Sequence, residues 1–443
     1  MNLGQQQGHA GEHVGIGYVA QNSAQPSLDL FGRINTCTPT AIFTTHPAFT
    51  TQRETMDYVS TGTGVIVHDI SNTLITLQVG SGVGRAVRQS REYLLYQPGK
   101  LQSCYITSVP QYAGTWDNSV VFRTGLFDDY RDKSSETNQP SMGHYFELSG
   151  NSWFVCERLN STNNVLNVNR IPQANWNLDT LNGVRATSPS GFTLRSPPDR
   201  GALFIVDRQW LGVGVVRMGV IFNGKPIFVH VFHDRLLNRP YTHLPKLPIR
   251  WELEKVSGGV AATATAATVC ASVQVLGEYT PLGATFTLPL TATIATQRLD
   301  TTERPLLILK LQQKYCRATF KILELNFFSD QKGAFCAYKN PTISGAAFSY
   351  TVHPDSRSMI EYKTFGTGTG TAPAYTISGG TPIRSGFFAQ NATSLVSVSN
   401  DEIITNPSYC SDIAGNCDIY VITGYQLASN SDVIVQARWM EIV

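Results

Sequence analysis

An all-β fold, with two β-sandwich domains of jelly-roll-like type and an extended N-terminal arm, is predicted from three features of this 443-residue sequence. Short runs of β-branched and aromatic residues recur from residue 57 onward between Gly, Asn, Asp and Pro punctuation. No long segment repeats apolar residues at three- and four-residue spacing between helix caps. Charged residues make up only 15%, against about 25% in an average globular chain, so Ser, Thr, Asn and Gly must cover much of the surface.

In chain order, residues 1–56 are rich in Gln, Gly, His, Thr and Pro and have no sustained period. They read as an arm that orders against neighbouring chains and not against its own core. Residues 57–282 read as a first β-sandwich, with strands in "TLITLQV", "YLLYQ", "SVVFRTGLF", "HYFELSGNSWFVCERL" and "ALFIVDRQWLGV", and one short helical turn at "LDTLNG". The segment "SGGVAATATAAT", residues 257–268, is low in complexity and reads as a crossing loop before the strand "VCASVQVLGEY". Residues 283–443 read as a second sandwich or barrel, with strands in "RPLLILKLQQ", "ATFKILELNFF", "GAFCAYKN", "DIYVITGYQL" and "SDVIVQARWMEIV" and a tip-like loop at 365–382.

The stretch "GVGVVRMGVIFNGKPIFVHVFHD", residues 212–234, reads as a hairpin, because Asn223-Gly224 suits the two positive-φ positions of a type I′ turn. That turn sets Phe222 opposite Lys225, Val220 opposite Ile227, Met218 opposite Val229 and Val216 opposite Val231. It also sets Gly219 opposite Phe228 and Arg217 opposite His230. In "LPIRWELEK", Ile249, Trp251 and Leu253 alternate with Arg250, Glu252 and Glu254, as in a strand with one wet face.

Several function classes drop out. A net charge of +2 gives no broad basic field, so nucleic-acid binding is not expected. No apolar run approaches the roughly 20 residues of a membrane span, and the start "MNLGQQQGHAGEHVG" lacks the basic flank and apolar core of a signal peptide. Glycines 212, 214 and 219 have the wrong spacing for a dinucleotide fingerprint, and "GSGVGRAVRQS" runs into strand residues and not a helix. His230 and His233 lie three apart on a strand, so they face opposite ways, and His243 sits in a separate loop. No metal and no cofactor is therefore expected. Eight scattered cysteines read as mostly buried free thiols, with a disulfide left open only for the close pair Cys410 and Cys417.

Glu147 and Glu157, on the two arms of a hairpin turning at Ser149-Gly150-Asn151, are the carboxylates that a glycan hydrolase would pair, with Asp128, Asp129 or Asp207 nearby. No second motif fixes an acid and a base, so the chain is read as non-enzymatic.

The phrases "RQSREYLLYQPGK", "FRTGLFDD", "IPQANWNLDTLNG", "SGFTL", "QWLGVGVVRMGVIFNGKPIFVHVFHD", "LPIRWELE" and "TVCASVQVLGEY" occur in this order. In wording and order they resemble a group of poorly characterised virion structural proteins of tailed bacteriophages and large double-stranded DNA viruses. "RPLLILKL", "ISGGTPIRSGFFA" and "VQARWMEIV" resemble the second half of such proteins, which extends the likeness over 57–443. That family has an acidic residue in the hairpin turn and "HxFxHAN" after it, where this chain has "NGK" and "HVFHDRL". The resemblance implies a minor capsid or accessory structural role and no catalytic residue.

The expected function is thus a structural component of a virus particle, a minor capsid or vertex protein, made in the host cytoplasm and residing in the virion. Its expected partners are other capsid or virion proteins and further copies of itself. The alternative is a fibre or receptor-binding protein that reads host surface glycans with loops 130–142 and 365–382, using Trp116, Trp153 and Tyr375 to stack on sugar rings. The third reading is the β-rich glycan hydrolase.

Overall fold

The computed structural model describes residues 28–30, 32–114, 116–129, 131, 141–159, 167–194, 201–233, 240–242, 244–258, 263–279, 283–288, 297–365, 374–397, 407–428 and 430–442. Strands and isolated bridges hold 59% of them, against about 20–25% strand in an average globular protein. The short turn expected at "LDTLNG" lies slightly earlier, as a single 3-10 turn at Gln173–Asn175. Apart from a few residues, the chain forms one compact unit up to Tyr279 and a second from Thr280 onward.

The first unit contains β1 (Pro39–Thr45), β2 (Met56–Gly62), β3 (Val65–Asp69), β4 (Leu74–Val79), β5 (Gly84–Ser90), β6 (Gln102–Gly114), β7 (Val120–Phe127) and β8 (Gly143–Ser149). It continues with β9 (Ser152–Leu159), β10 (Asn167–Pro172), β11 (Ala202–Arg208), β12 (Val216–Phe222), β13 (Lys225–Phe232), β14 (Ile249–Lys255) and β15 (Ala264–Leu276). An eight-stranded antiparallel sheet runs β13-β12-β11-β6-β15-β4-β3, with β1 also paired to β15, and a seven-stranded sheet runs β10-β9-β8-β7-β14-β5-β2. Period-two alternation turns Ile75, Leu77, Phe204 and Met218 of the first sheet, and Phe122, Phe146, Trp153 and Trp251 of the second, into one core. Each fully buried side chain of this size contributes about 1.5–3 kcal/mol.

The second unit is another sandwich, built from β16 (Ala284–Leu288), β17 (Gln297–Leu299), β18 (Arg304–Leu311), β19 (Thr319–Ser329), β20 (Gly333–Lys339), β21 (Thr342–Ser344) and β22 (Thr351–Val352). Then follow β23 (Ile360–Thr364), β24 (Thr376–Ser378), β25 (Thr381–Phe388), β26 (Ala392–Ser397), β27 (Ile419–Gln426) and β28 (Ser431–Ile442). Its main sheets have five and six strands and enclose Leu309, Phe320, Phe327, Ile422 and Trp439. Part of the stretch read as a tip-like loop is strand: β24 pairs with β21, and β25 begins at Thr381. Residues 366–373 of it lie outside the described residues.

Two expectations from low complexity are corrected. Residues 39–45 are not a free arm but β1, paired with β15 from Thr45↔Ala271 to Pro39↔Leu276, and Phe43 enters the core. Asp29 is also drawn in, accepting a hydrogen bond from Gln209 Nε2 at 3.0 Å. Phe43 supplies the apolar anchor that composition alone obscures. Likewise Ala264–Thr268, read as loop, is the first part of β15, paired with both β4 and β6. Ala264, Ala266 and Ala267 are buried, and the strand keeps both ladders.

The hairpin turn is where the sequence places it, with Asn223 at φ 48° and Gly224 at φ 72°. The register holds from Phe222↔Lys225 to Gly219↔Phe228, then slips by one, so that Met218 faces His230 and Arg217 faces Val231. The slip is a β-bulge at Val229. It frees the Val229 carbonyl to accept the Leu178 and Asp179 N–H groups at 3.0 and 3.2 Å. Beside it, Asn177 brackets Val231, donating from Nδ2 to its carbonyl and accepting its N–H, both at 2.9 Å.

All eight cysteines are free: Cys104, Cys156, Cys316 and Cys410 are buried, Cys270, Cys336 and Cys417 half-buried, and Cys37 exposed. Cys410 and Cys417 form no disulfide, and burial pushes each thiol up to about 12.

Candidate functional site

The outer face of the seven-stranded sheet gathers charges of both signs. Because Trp251 and Leu253 of β14 point into the core, Arg250, Glu252 and Glu254 point the other way. The face was expected to be wet, yet Arg250 and Glu252 are wholly buried and Glu254 is 8% exposed. Neighbouring strands supply the counter-charges. Arg123 of β7, directly across from both Glu252 and Glu147, donates from Nη1 to Glu252 Oε1 and Glu254 Oε2, each at 2.6 Å, and from Nε to Glu147 Oε2 at 2.8 Å. Arg250 Nε and Arg85 Nη2 reach Glu252 Oε2 at 3.0 and 3.2 Å, and Arg170 Nε reaches Glu147 Oε1 at 2.6 Å. Arg158 Nη1 donates to Asp129 Oδ2 at 3.2 Å, with its guanidinium 5.0 Å from the Phe127 ring centre.

Burial alone would raise the Glu252 carboxyl, but the guanidiniums of Arg85, Arg250 and Arg123 overcome it and hold the group well below the usual carboxylate range. Burial would likewise lower Arg123, and Glu252 and Glu147 instead push it well above its ordinary value. Such a lattice is a rigid device: removing one partner strands the others in a dry setting, at a cost of about 3–5 kcal/mol.

A shallow groove of about 530 Å³ opens on the outer face of the eight-stranded sheet, near its β3 end. Val67 of β3, Thr76 and Gln78 of β4 and Thr265 of β15 share that face, since Val67 pairs with Thr76 and Thr265 with Gln78. Between the pairs Ala113↔Thr265 and Val109↔Ala267, three residues of β6 oppose one of β15. This wide bulge places Tyr112 at the groove with its side chain 41% exposed. Asp69, also lining the groove, accepts from Asn72 N and Nδ2 at 3.0 and 2.7 Å, and these bonds hold its carboxyl below its ordinary value.

No family model and no curated protein matches this chain. Solved structures that it resembles include an endo-β-1,4-glucuronan lyase from Trichoderma reesei, 8% identical, covering 54% of this chain and 97% of that one at a TM-score of 0.36. A Bacillus licheniformis β-glucanase is 11% identical, covering 55% and 100% at 0.31. The CBM2 module of the evolved Dit of Lactobacillus casei BL23 phage J-1 is 7% identical, covering 55% and 99% at 0.34. Scores this low carry no information about activity or ligand.

The structure separates the carboxylates that the sequence paired. Glu147 lies on the outer face between Arg123 and Arg170, whereas Glu157 points into the sandwich, where His144 Nε2 lies 3.4 Å from its Oε1. Burial holds the His144 imidazole below its ordinary value, against the pull of Glu157. Asp128 and Asp129 are buried, and Asp207, on the other sheet, pairs with Arg217 at 2.7 Å. Both oxygens of Glu147 are thus held by guanidiniums, and Asp129 and Asp207 each pair with an arginine, so no two of these carboxylates stand together as an acid and a base.

Of the three aromatic rings expected to stack on sugar, Trp153 is corrected outright: it is 1% exposed, in the core 5.7 Å from the Phe204 ring, and has no face to offer. Trp116 is half-buried and packs on the same core. Tyr375 is half-buried in a cluster with Phe348 and Phe365, its ring centre 4.7 Å from that of Phe365. Residues 130 and 132–140 of the expected 130–142 loop, and His243, lie outside the described residues. His230 is buried and accepts the Asn177 N–H at Nδ1, while His233 is exposed.

Sequence reasoning missed Arg85, Arg123 and Arg158 as members of one lattice. The available signal was opposite charges at period two in strands whose other face is apolar. Tyr112 was missed because a bulge, invisible in composition, brings it to the groove.

Proposed function

We propose that the chain is a non-catalytic structural component of a virus particle, a minor capsid or vertex subunit acting through contacts with other virion proteins and with its own copies. The resemblance of its ordered phrases to virion structural proteins supports the setting. The observation that carries the non-catalytic part is the lattice around Glu252: Glu147, Glu252 and Glu254 are each tied to guanidiniums, an arrangement suited to stiffness and not to proton transfer. Two all-β units in one chain suit the same role. A labelled antibody against the chain, applied to purified particles of the source virus, should mark a fixed position. Absence of the chain from the particles, or hydrolysis of polysaccharide by the purified chain, would overturn the reading.

A second reading, glycan recognition by a receptor-binding component of the particle, is favoured by one observation, the open groove beside Tyr112.

A further inference from the structure

We propose that this groove is a binding site for a neutral hexopyranose, with Tyr112 as the stacking platform and Gln78 as the polar contact that orients the sugar. The proposal deepens the glycan-recognition reading and does not depend on where the protein sits in a particle.

A pyranose presents an apolar C–H face bounded by hydroxyl groups, and it needs an exposed ring, a nearby apolar rim and uncommitted donors and acceptors. The groove brings these together. Tyr112 is exposed, and its phenol makes no hydrogen bond among the described residues. Val67 and Ile70, 44% and 59% exposed, form an apolar rim. The Gln78 side-chain amide is half-buried and makes no hydrogen bond among the described residues, so it has both a donor and an acceptor to give. Its volume of about 530 Å³ lies within the ~300–1,000 Å³ of small-molecule sites.

Charge narrows the class. Among the described residues no lysine or arginine lines the groove, Asp69 contributes a carboxylate, and the one lining histidine, His68, has its Nε2 on the Pro47 carbonyl at 2.7 Å. A sialic acid, a uronate or a phosphate would meet a carboxylate with no lysine or arginine among the described residues to offset it. A neutral sugar meets no such cost, and Asp69, though committed to Asn72, keeps lone pairs for a hydroxyl donor.

The test is saturation-transfer NMR on the full chain with glucose, galactose, mannose and N-acetylglucosamine as separate probes at millimolar concentration, and with N-acetylneuraminate as the acidic comparison. At least one neutral sugar should bind, and Tyr112→Ala should weaken it by roughly tenfold or more. Tyr112→Phe, which keeps the ring, should bind within about threefold of wild type. Gln78→Ala gives an independent reading on a second side chain and should also weaken binding; it decides the matter if Tyr112→Ala does not fold. No binding of any neutral sugar, undiminished binding in the variants, or equal binding of N-acetylneuraminate would overturn the proposal. None of these outcomes bears on whether the chain is part of a particle, which the antibody experiment decides separately.

Discussion

Arg88 of β5 lies inside the first sandwich with its guanidinium 4.5 Å from the ring centre of Trp251, its direct neighbour on β14. The cation is held by neutral groups: Nη1 donates to Thr268 Oγ1 and the Val269 carbonyl at 2.9 and 3.0 Å, and Nη2 to Thr45 Oγ1 at 2.9 Å. Arg88 thereby ties β1 and β15 of one sheet to β5 of the other. Arg88→Ala should cost about 3 kcal/mol or more in urea unfolding, from the cavity and the orphaned acceptors. Arg88→Met, which keeps most of the volume and removes the buried charge, should cost about 1 kcal/mol or less. Equal losses in the two variants would mean that the hydrogen bonds matter more than the volume.

The Glu252 lattice should make stability acid-sensitive. Because the folded carboxyl is held below its unfolded value of about 4.3, its contribution is fully present above that pH and is lost as pH falls toward the folded value. Thermal melts between pH 5 and 2 should show this fall, and Glu252→Gln should lose stability at neutral pH while flattening the acid limb. An unchanged acid limb in that variant would assign the sensitivity to other carboxylates.

His144 acts in a different window. Burial holds its folded value below the unfolded one of about 6.5, so the folded state keeps a neutral ring while the unfolded chain takes up a proton. Stability should therefore decline as pH drops below about 6.5 and stop declining once the folded imidazole protonates. His144→Gln, which keeps a polar group beside Glu157 without the charge change, should remove the slope between pH 7 and 5.5. A melt series that is flat there in the wild type would show that His144 is not titrating as the geometry requires.

Two glycines of the hairpin region should behave differently. A Cβ on Gly224 would meet nothing within 4 Å, so Gly224→Val should cost only backbone strain at φ 72°, about 1–3 kcal/mol. A Cβ on Gly214 would lie 1.8 Å from the Gln209 carbonyl oxygen, so even Gly214→Ala must move the backbone and should cost more. Chemical denaturation of the two variants side by side tests the order.

Much of the first unit was legible because half-buried strands write their inward face at every second residue: Ile249, Trp251 and Leu253 disclosed β14, and Asn223-Gly224 disclosed the hairpin turn. The outward face of β14 was misread because alternation reports that two faces differ, not that one is wet. Arg250 and Glu252 are buried, through partners on strands distant in sequence. The register beyond Gly219 was lost for a similar reason, since the Val229 bulge answers to Leu178 and Asp179, about fifty residues upstream. Local composition failed at β1 and at Ala264–Thr268, where single anchors such as Phe43 and small alanines decide the pairing. The groove at Tyr112 depends on a bulge in one of four strands, β3, β4, β6 and β15, and no short window of sequence contains it.

The bulge at Val229 and the clasp of Asn177 on Val231 occupy backbone groups along the outer side of β13, at one end of the eight-stranded sheet. At the other end, β3 pairs with β4 alone among the described strands of its sheet, and its Val65 and Val67 are exposed. Among the described residues the sheet is stoppered at one margin and bare at the other, which does not favour head-to-tail propagation. Strand pairing through such a sheet would join one bare margin to another, the self-complementary geometry of a twofold pair and not of a fibre.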